Sequence, residues 1–191
     1  YLEYDRGKYP DSYSELKKHL RKLANCEKSI IRIDNKIENP VLNINYDSAV
    51  MINGDNSSWE FSGWQKGLDY IKKNNLKYDA VLFVNDSFLI YGSNPISSIL
   101  RPWILSKCIS LKSIAGIVDH SDKTMELNML DVTKYVRTNC FFVAEPIIAG
   151  LNSICSVEYK SMDRYIPAEP DENIFCSDAP LNKSLQNEIL K

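Results

Sequence analysis

Hydrophobic and polar positions along the chain alternate between short apolar runs and longer segments of helical periodicity. Four apolar runs end at an acidic residue: Asp34, Asp55, Asp86 and Asp119. Short runs rich in β-branched residues are typical of buried parallel strands, and open α/β sheets bind ligands at the carboxyl ends of their strands. The pattern therefore predicts carboxylates along one rim of a sheet, where they could hold a divalent cation, a ribose or a reacting hydroxyl.

The apolar runs predict strands over residues 2–4, 29–33, 49–52, 80–84 and 113–118, with further strands over 125–130 and 140–144. Two capping-box patterns, Ser12-x-x-Glu15 and Ser62-x-x-Gln65, predict the starts of two helices. Asn74-Asn75 predicts the end of the second helix. A third helix is predicted around residues 102–109 with Pro102 in its first turn, and a last one over 181–190. Segments 87–98 and 156–180 are expected to be turn-rich or irregular.

Strand and helix alternate through residue 109, and strands dominate afterwards. This order predicts a βαβαβαβ half followed by a mixed β and α half within one domain over residues 1–191. The chain opens at Tyr1 without an initiator Met. We therefore expect either a processed start or a fragment of a larger protein, in which the first strand is truncated.

Composition excludes several classes of protein. The apolar fraction of 44%, the charged fraction of 25% and the net charge of −2 are those of a soluble globular domain without a global basic field for nucleic acid. The five cysteines are scattered and never form a C-x-x-C pair, which argues against a zinc site or a disulfide framework and for a reducing compartment. No run of residues is apolar enough for a membrane span.

The sequence also lacks several catalytic signatures. It contains no G-x-G-x-x-G, Walker A or G-x-S-x-G motif, which disfavours dinucleotide binding, P-loop chemistry and a nucleophile elbow. His19 and His120 are too far apart in sequence to suggest a His-rich metal site. A phosphotransfer domain of receiver or phosphatase type is disfavoured as well, because Asp5 has no acidic neighbour at a strand end.

Asp86 follows the most apolar run and is the first candidate for catalysis. A carboxylate there could bind a divalent ion, Mg²⁺ or Mn²⁺, that neutralises a diphosphate leaving group. The motif for such a metal usually has two acids, D-x-D, whereas Asn85 stands beside a single Asp here. The alternative is that Asp86 caps the following turn.

Three more positions are candidates for a functional role, and two of them also have a structural interpretation. Asp34 could accept a hydrogen bond from a ribose or could form an Asx-turn. Asp119 could act as the general base that deprotonates an acceptor hydroxyl. Arg137 could bring positive charge to a diphosphate or could be a surface residue. Gly63 and Gly67 would allow either close helix packing or close approach of a ligand, and packing is the simpler reason.

Several of these motifs occur in an order that resembles one family. The segments are Tyr4-Asp5-Arg6-Gly7, Ile33-Asp34-Asn35, residues 59–68, residues 78–87, Gly116-Ile117-Val118-Asp119 and residues 137–142. From Tyr4 to Val143 they resemble the glycosyltransferases of the rhamnan-synthesis F type, which are similar to the GT-A nucleotide-sugar transferases. The shared features are an E-F-x-x-x-x-x-G stretch and a strand ending in N-D-S before a Gly-containing turn. The family's W-G is Ile114-Ala115 here, and its H-x-Q-S is Arg137-Thr138-Asn139-Cys140, so the acceptor is not carried over.

The resemblance implies a GT-A-like (Rossmann-like) α/β fold, with a mixed, mainly parallel sheet flanked by helices in a single domain. It implies contacts of Asp34 with the nucleotide and of Asn85 and Asp86 with the diphosphate or a metal. The expected nucleotide-sugar-binding residues are Asp5, Asp34, Asn35, Glu60, Gly63, Gly67, Asn85 and Arg137. The expected catalytic residues are Asp86 and Asp119, with Asp86 also as the metal ligand.

The leading hypothesis is an inverting glycosyltransferase of the hexosyltransferase class. It would transfer a sugar, with L-rhamnose as the family's candidate, from a nucleoside-diphosphate donor to a glycan or lipid-linked glycan acceptor of a cell-surface polysaccharide such as O-antigen, capsule or rhamnan. Its expected location is the cytoplasm, with peripheral association at the inner membrane, and no nucleic-acid partner is expected. The alternative is a catalytically inactive nucleotide-sugar-binding or carbohydrate-binding domain of a larger transferase.

Overall fold

The computed structural model describes residues 1–4, 7–23, 25–36, 49–55, 57–91, 93–127 and 130–154. The chain divides into two compact units. The first comprises Tyr1–Ile117 and Val136–Val157, and the second comprises Val118–Tyr135 and Glu158–Lys191. Every helix in the described part of the chain belongs to the first unit.

The first unit is a mixed α/β structure. Its strands are β1 (Leu2–Glu3), β2 (Ile30–Asp34), β3 (Ala49–Asn53), β4 (Ser57–Ser58) and β5 (Ala80–Val84), followed by the start of β6 (Ile114–Leu127) and the end of β7 (Leu130–Ala144). Its helices are α1 (Ser12–Leu20), α2 (Trp59–Lys73), α3 (Ser93–Ile99), α4 (Pro102–Ser110) and α5 (Glu145–Gly150), with a 3-10 helix at Asp86–Tyr91.

Strands β1, β2 and β3 form a parallel sheet in that order. Leu2 pairs with Ile33, and Asp34 pairs with both Glu3 and Asn53, so the carboxyl ends of the three strands lie at one edge. The β-branched residues of β2 favour this extended, buried conformation. The structure confirms a parallel sheet for three of the predicted strands, those over residues 2–4, 29–33 and 49–52.

Strand β7 lies between β5 and β6. It is antiparallel to β5, with Ala80 opposite Ala144 and Val84 opposite Cys140, which confirms the predicted strand over residues 140–144. An isolated parallel bridge between Leu2 and Asn85 sets the end of β5 beside β1. Strands β5, β7 and β6 thus form a second three-stranded sheet, and the Leu2–Asn85 bridge joins it to the first sheet.

Both faces of β5 are buried, because successive residues of a strand point to opposite faces. Val84 packs in one core cluster with Leu16 of α1 and Cys108 of α4. Phe83 packs in a second cluster with Trp64 of α2. Helices thus cover both faces, which explains why β5 is the most continuously apolar run in the chain.

Helix α2 ends as the sequence predicts. Asn75 has a φ of 51°, the left-handed conformation that Asn tolerates at this position. The N–H of Leu76 donates to the carbonyl oxygen of Ile71 at 3.0 Å, and the N–H of Asn75 donates to that of Lys72 at 3.2 Å. These two bonds form a Schellman motif, so the stop signal at Asn74-Asn75 is confirmed.

Neither predicted capping box forms. Asp11 precedes α1, and the Ser12 hydroxyl donates instead to the backbone carbonyl oxygen of Asp86 at 2.9 Å. Helix α2 begins before Ser62, whose side chain is buried within the helix. The Gln65 Oε1 accepts hydrogen bonds from Ser153 Oγ and from the Ile154 N–H at 3.0 and 2.9 Å. The Ser12 and Gln65 side chains, which the local pattern assigned to capping, form hydrogen bonds with distant residues instead.

Two further expectations need correction. The turn-rich segment 87–98 is largely helical, because Phe88 and Ile96 are buried there and draw the segment onto the core. The strand expected to end at residue 118 continues as β6 to Leu127, through the start of the expected strand 125–130, and β7 begins at Leu130. Residues 118–127 and 130–135 are the strand segments of the second unit. The expected irregular segment 156–180 and last helix 181–190 lie outside the described residues.

Candidate functional site

The candidate site is the edge where the parallel strands end. Along the chain, β1 is followed by β2 and β3, which lie on one side of it. The chain then forms β5, whose end lies on the other side of β1. In open α/β sheets the crevice at such a change of direction, outside the carboxyl ends of the strands, is where ligands bind. We call the residues at these ends the carboxyl edge: Glu3, Tyr4, Asp34, Asn35, Asn53, Gly54, Asn85 and Asp86.

Asp34 and Asp86 lie at the same edge, with β1 between their strands. Asp34 pairs with Glu3, and Asn85 is bridged to Leu2, so the two acids are separated by two strand spacings, roughly 10 Å. The sequence placed both acids at the ends of parallel strands. The structure adds that their strands belong to two sheets, which the Leu2–Asn85 bridge joins beside β1.

Asp86 is buried, with 1% of its surface exposed. Its Oδ2 accepts a hydrogen bond from the backbone N–H of Tyr4 at 2.6 Å, and its carbonyl oxygen accepts one from Ser12 Oγ at 2.9 Å. Asp86 therefore ties the segment after β1 and the start of α1 to the end of β5. In this conformation its carboxylate serves the fold rather than presenting itself to a ligand, which is the structural interpretation of this acid.

Asn85 is tied to its neighbours by both backbone and side chain. Its N–H donates to the carbonyl oxygen of Asn139 at 3.2 Å, and its Oδ1 accepts from Ser87 Oγ at 2.8 Å. Asn139 is buried, and its Oδ1 has no hydrogen-bond partner among the described residues. Asn139 is a site candidate that sequence reasoning considered only as part of a polar stretch, because an Asn before an apolar run carries no distinctive signal.

Asp34 forms the Asx-turn that was one of its two interpretations. Its Oδ1 accepts from the Lys36 N–H at 2.8 Å, and its carbonyl oxygen accepts from the Gly54 N–H at 2.8 Å. The side chain is buried, with 4% of its surface exposed. The turn holds the end of β2 against the end of β3.

Asn35 packs directly against the backbone of Gly54. A Cβ at Gly54 would lie 1.7 Å from Asn35 Oδ1, so a side chain at this position would displace the Asn35 amide. Both polar atoms of the Asn35 amide are buried without a hydrogen-bond partner in the described part of the chain. Buried amides are normally satisfied, so Asn35 is the edge residue with the most unused hydrogen-bonding capacity in the described structure.

Beyond Gly54, Asp55 forms an ion pair with Lys66 at 2.9 Å and accepts from the N–H and the hydroxyl of Ser57 at 3.0 and 2.8 Å. Partial burial raises the pKa of Asp55, but these donors outweigh it and lower the pKa to about 2. Asp55 thus anchors the segment that leads into α2. Asp55 is one of the four acids that the sequence predicts at the rim, and its carboxyl group is ionised at neutral pH.

Glu60 and Arg137 come from two different elements of the first unit. Glu60, in the first turn of α2, accepts a hydrogen bond from Thr138 Oγ1 of β7 at 2.8 Å. Arg137 precedes Thr138 and is partly buried. The structure therefore links two stretches, 60–67 and 137–142, that sequence reasoning connected only by resemblance.

Gly63 and Gly67 belong to helix packing. A Cβ at Gly63 would lie 2.5 Å from Leu2 Cδ1, and one at Gly67 would lie 3.2 Å from Ile33 Cδ1. The absence of side chains lets α2 approach β1 and β2 closely. The packing interpretation of both glycines agrees with this geometry, and we leave them out of the candidate site.

A buried ion pair lies beside the edge, and no motif in the sequence predicts it. Arg32 Nε and Nη2 donate to Glu3 Oε2 and Oε1, each at 2.7 Å, and both side chains are largely buried. The guanidinium lies 4.6 Å from the ring centroid of Tyr13. Burial lowers the pKa of Arg32, but the hydrogen bonds and charge of Glu3 outweigh that effect and raise it. A single Glu and Arg separated by a helix carry no local signature, so pattern reading could not find this pair.

The remaining predicted residues are not brought to this edge by the described structure. Asp119 does not close a strand, since β6 continues to Leu127, and it belongs to the second unit. Asp5 lies outside the described residues. Among the described residues, no group of three His, Cys, Asp or Glu side chains could hold a metal ion.

Comparison of the chain with protein-family models, curated proteins and solved structures found no match in any of the three. Function is therefore inferred from the geometry of the carboxyl edge and from the sequence motifs. The mixed α/β architecture with a parallel three-stranded sheet is the part of the expected fold that the structure establishes.

Proposed function

We propose that this protein is a glycosyltransferase that binds a nucleoside-diphosphate sugar at the carboxyl edge of β1, β2, β3 and β5. The proposal includes a GT-A-like fold and an acceptor that is a glycan or lipid-linked glycan of a cell-surface polysaccharide. The donor sugar suggested by the family resemblance is L-rhamnose. The proposed activity is inverting transfer, which requires one general base.

One observation carries the proposal: the parallel bridge between Leu2 and Asn85 makes β1 the strand at which the chain changes direction. That change of direction is the usual ligand position in a doubly wound sheet. The polar groups gathered there come from four separate strand ends. Their order in sequence, Asp34-Asn35 followed by Asn85-Asp86, is also the order that resembles the transferase family.

Within this proposal, Asn35 is the residue that recognises the nucleotide, and its amide, which is buried against Gly54, would have to become accessible on binding. Its amide offers one acceptor and two donors, and it is held at the end of β2 by contact with Gly54. Asn139, on β7 beside Asn85, is the second amide assigned to the donor. Arg137 is assigned to the diphosphate, because a guanidinium can make two parallel hydrogen bonds to phosphate oxygens.

The described residues do not fit a bound Mg²⁺ or Mn²⁺. Asp86, the single predicted ligand, is buried, and its Oδ2 is engaged by the Tyr4 N–H at 2.6 Å. We therefore assign neutralisation of the leaving diphosphate to positive charge from the protein, with Arg137 as the candidate. We assign no general base at the carboxyl edge, because Asp119, the expected base, belongs to the second unit.

A second candidate is a nucleotide-sugar-binding or carbohydrate-binding domain without catalysis. The contacts of Asp86 favour this second candidate. Asp86 is the acid expected to act on the donor, but it is buried and accepts a hydrogen bond from the Tyr4 N–H. The two candidates share the binding edge and differ only in turnover. Donor hydrolysis or transfer therefore separates them.

The test is a thermal-shift screen of nucleoside diphosphates and nucleotide-sugars, with and without Mg²⁺ or Mn²⁺, followed by assays of donor hydrolysis. A ligand at a hundred times its Kd stabilises the folded state by about 2.7 kcal/mol. Asn35→Ala should abolish the shift, whereas Asn25→Ala, at an exposed turn position, should retain it. Binding with turnover supports the transferase, and binding without turnover supports the second candidate. If no nucleoside diphosphate or nucleotide-sugar causes a shift, the transferase and the nucleotide-sugar-binding domain are both excluded.

A further inference from the structure

Helix α4 carries an apolar surface that the fold does not bury. One side of the helix contributes Ile104, Leu105 and Cys108 to a core cluster. On the other side, 56% of Trp103 is exposed, and Leu111 just beyond the helix is 70% exposed. Trp103, Lys107 and Leu111 are spaced by four residues, so they form one stripe along the helix axis. Ile114, at the start of β6, adds a further exposed apolar side chain, 47% of which is accessible.

The charge of this segment is entirely positive. No acidic residue occurs between Asp86 and Asp119, although the whole chain has a net charge of −2. The charged residues in that interval are Arg101, Lys107 and Lys112, and all three are exposed. Lys107 Nζ lies 5.7 Å from the ring centroid of Trp103, so charge and aromatic surface are adjacent. We call the surface formed by Arg101, Trp103, Lys107, Leu111, Lys112 and Ile114 the α4 face.

We propose that the α4 face docks the protein on the surface of an anionic lipid bilayer. Tryptophan and aliphatic side chains enter the headgroup boundary, while the basic side chains extend to the lipid phosphates. Uniform positive charge on an otherwise acidic chain is the complement of an anionic leaflet. No helix among the described residues is long and apolar enough to cross a bilayer.

This inference goes beyond the proposed activity and does not depend on it, because docking requires no sugar nucleotide. The experiment is co-sedimentation of the full chain with vesicles of phosphatidylcholine alone and with vesicles of phosphatidylcholine and phosphatidylglycerol in equal parts. The protein should bind the anionic vesicles, be released by high salt, and bind the neutral vesicles weakly.

Two pairs of variants locate the docking surface. Lys107→Glu should weaken partition to anionic vesicles by about tenfold or more, whereas Lys72→Glu, on the exposed side of α2, should leave it unchanged. Leu111→Ala should weaken it by about tenfold, with Leu151→Ala as the matched control at another exposed leucine. Each variant is at an exposed position, and its thermal unfolding confirms that it is folded.

Three outcomes would overturn the proposal. The first is the absence of sedimentation with anionic vesicles. The second is equal binding of the α4-face variants and their controls. The third is competition: single-stranded DNA, a soluble polyanion, binds the same face with higher affinity and displaces the protein from the vesicles. That result would make the surface a nucleic-acid site instead. Salt-sensitive binding that is weakened only by Lys107→Glu and Leu111→Ala would support it.

Discussion

The Asp86 carboxylate accepts a hydrogen bond from the Tyr4 backbone N–H at 2.6 Å, across 82 residues of sequence. The same aspartate accepts a hydrogen bond from Ser12 through its carbonyl oxygen. Asp86, which follows β5, thus holds both the end of β1 and the start of α1 in place. These elements flank the point where the chain changes direction, so Asp86 holds together the segments around the candidate donor site.

We expect Asp86→Ala to lower the free energy of unfolding by about 1.5–3 kcal/mol, since it removes a buried, charge-assisted hydrogen bond. Asp86→Asn should cost less, because the amide keeps an acceptor oxygen for the Tyr4 N–H. Urea unfolding followed by tryptophan fluorescence measures both values. Asp79→Ala, at an exposed position just before β5, is the control. Unchanged stability of Asp86→Ala together with lost sugar transfer would show that the acid acts on the donor instead.

The Glu3–Arg32 pair should show strong coupling between β1 and β2. Arg32→Met leaves Glu3 buried without the guanidinium, and we expect a loss of about 3–5 kcal/mol in unfolding free energy. The double variant Glu3→Leu/Arg32→Met should recover a large part of that loss, because it removes both charges. A double-mutant cycle from denaturant unfolding measures the coupling. Additive effects of the two single variants would contradict the assignment.

A graded series tests the packing role of the α2 glycines. Gly63→Ala should destabilise by about 1–3 kcal/mol, because its Cβ would lie 2.5 Å from Leu2 Cδ1. Gly67→Ala, with 3.2 Å to Ile33 Cδ1, should cost less. Gly150→Ala has no atom within 4 Å of the new Cβ and should be neutral. If Gly63→Ala instead abolished nucleotide binding at unchanged stability, the glycine would belong to the donor site.

Cys140 should make stability fall in alkaline solution. Burial raises the pKa of its thiol from 9.0 to about 12, so the folded state disfavours the thiolate. Below pH 9 the thiol is neutral in both states. Between pH 9 and pH 12 the unfolded state ionises first, and the free energy of unfolding should fall by up to about 1.4 kcal/mol per pH unit.

Denaturant unfolding at several alkaline pH values measures this dependence, and Cys140→Ala should reduce it. Cys26→Ala is the control, at a partly exposed cysteine. Iodoacetamide should label Cys26 in the native protein and leave Cys140 unmodified until unfolding, since Cys140 is fully buried. An identical pH dependence in Cys140→Ala and the parent protein would contradict the assignment.

Much of the fold could be predicted from local sequence. Residues 80–84 were predicted as a strand with the bounds that the structure gives, because five apolar residues between polar turns leave no other buried conformation. Asn74-Asn75 predicted the end of α2 because a left-handed Asn satisfies the last carbonyl groups. Local patterns failed where a distant partner decided: the Ser12 hydroxyl bonds to Asp86, and Gln65 bonds to the segment after α5.

The sequence by itself determined that apolar strands end in polar residues, and hence that a parallel sheet would carry Asp34 and Asp86 at its carboxyl edge. Only the tertiary structure decided what those side chains do there. It placed the Asp86 carboxylate against the Tyr4 N–H, paired Arg32 with Glu3, and set Asn35 over Gly54. The physical reason is that periodicity and capping depend on neighbours within a few residues, whereas a buried polar group is satisfied by whichever distant segment the fold brings into reach.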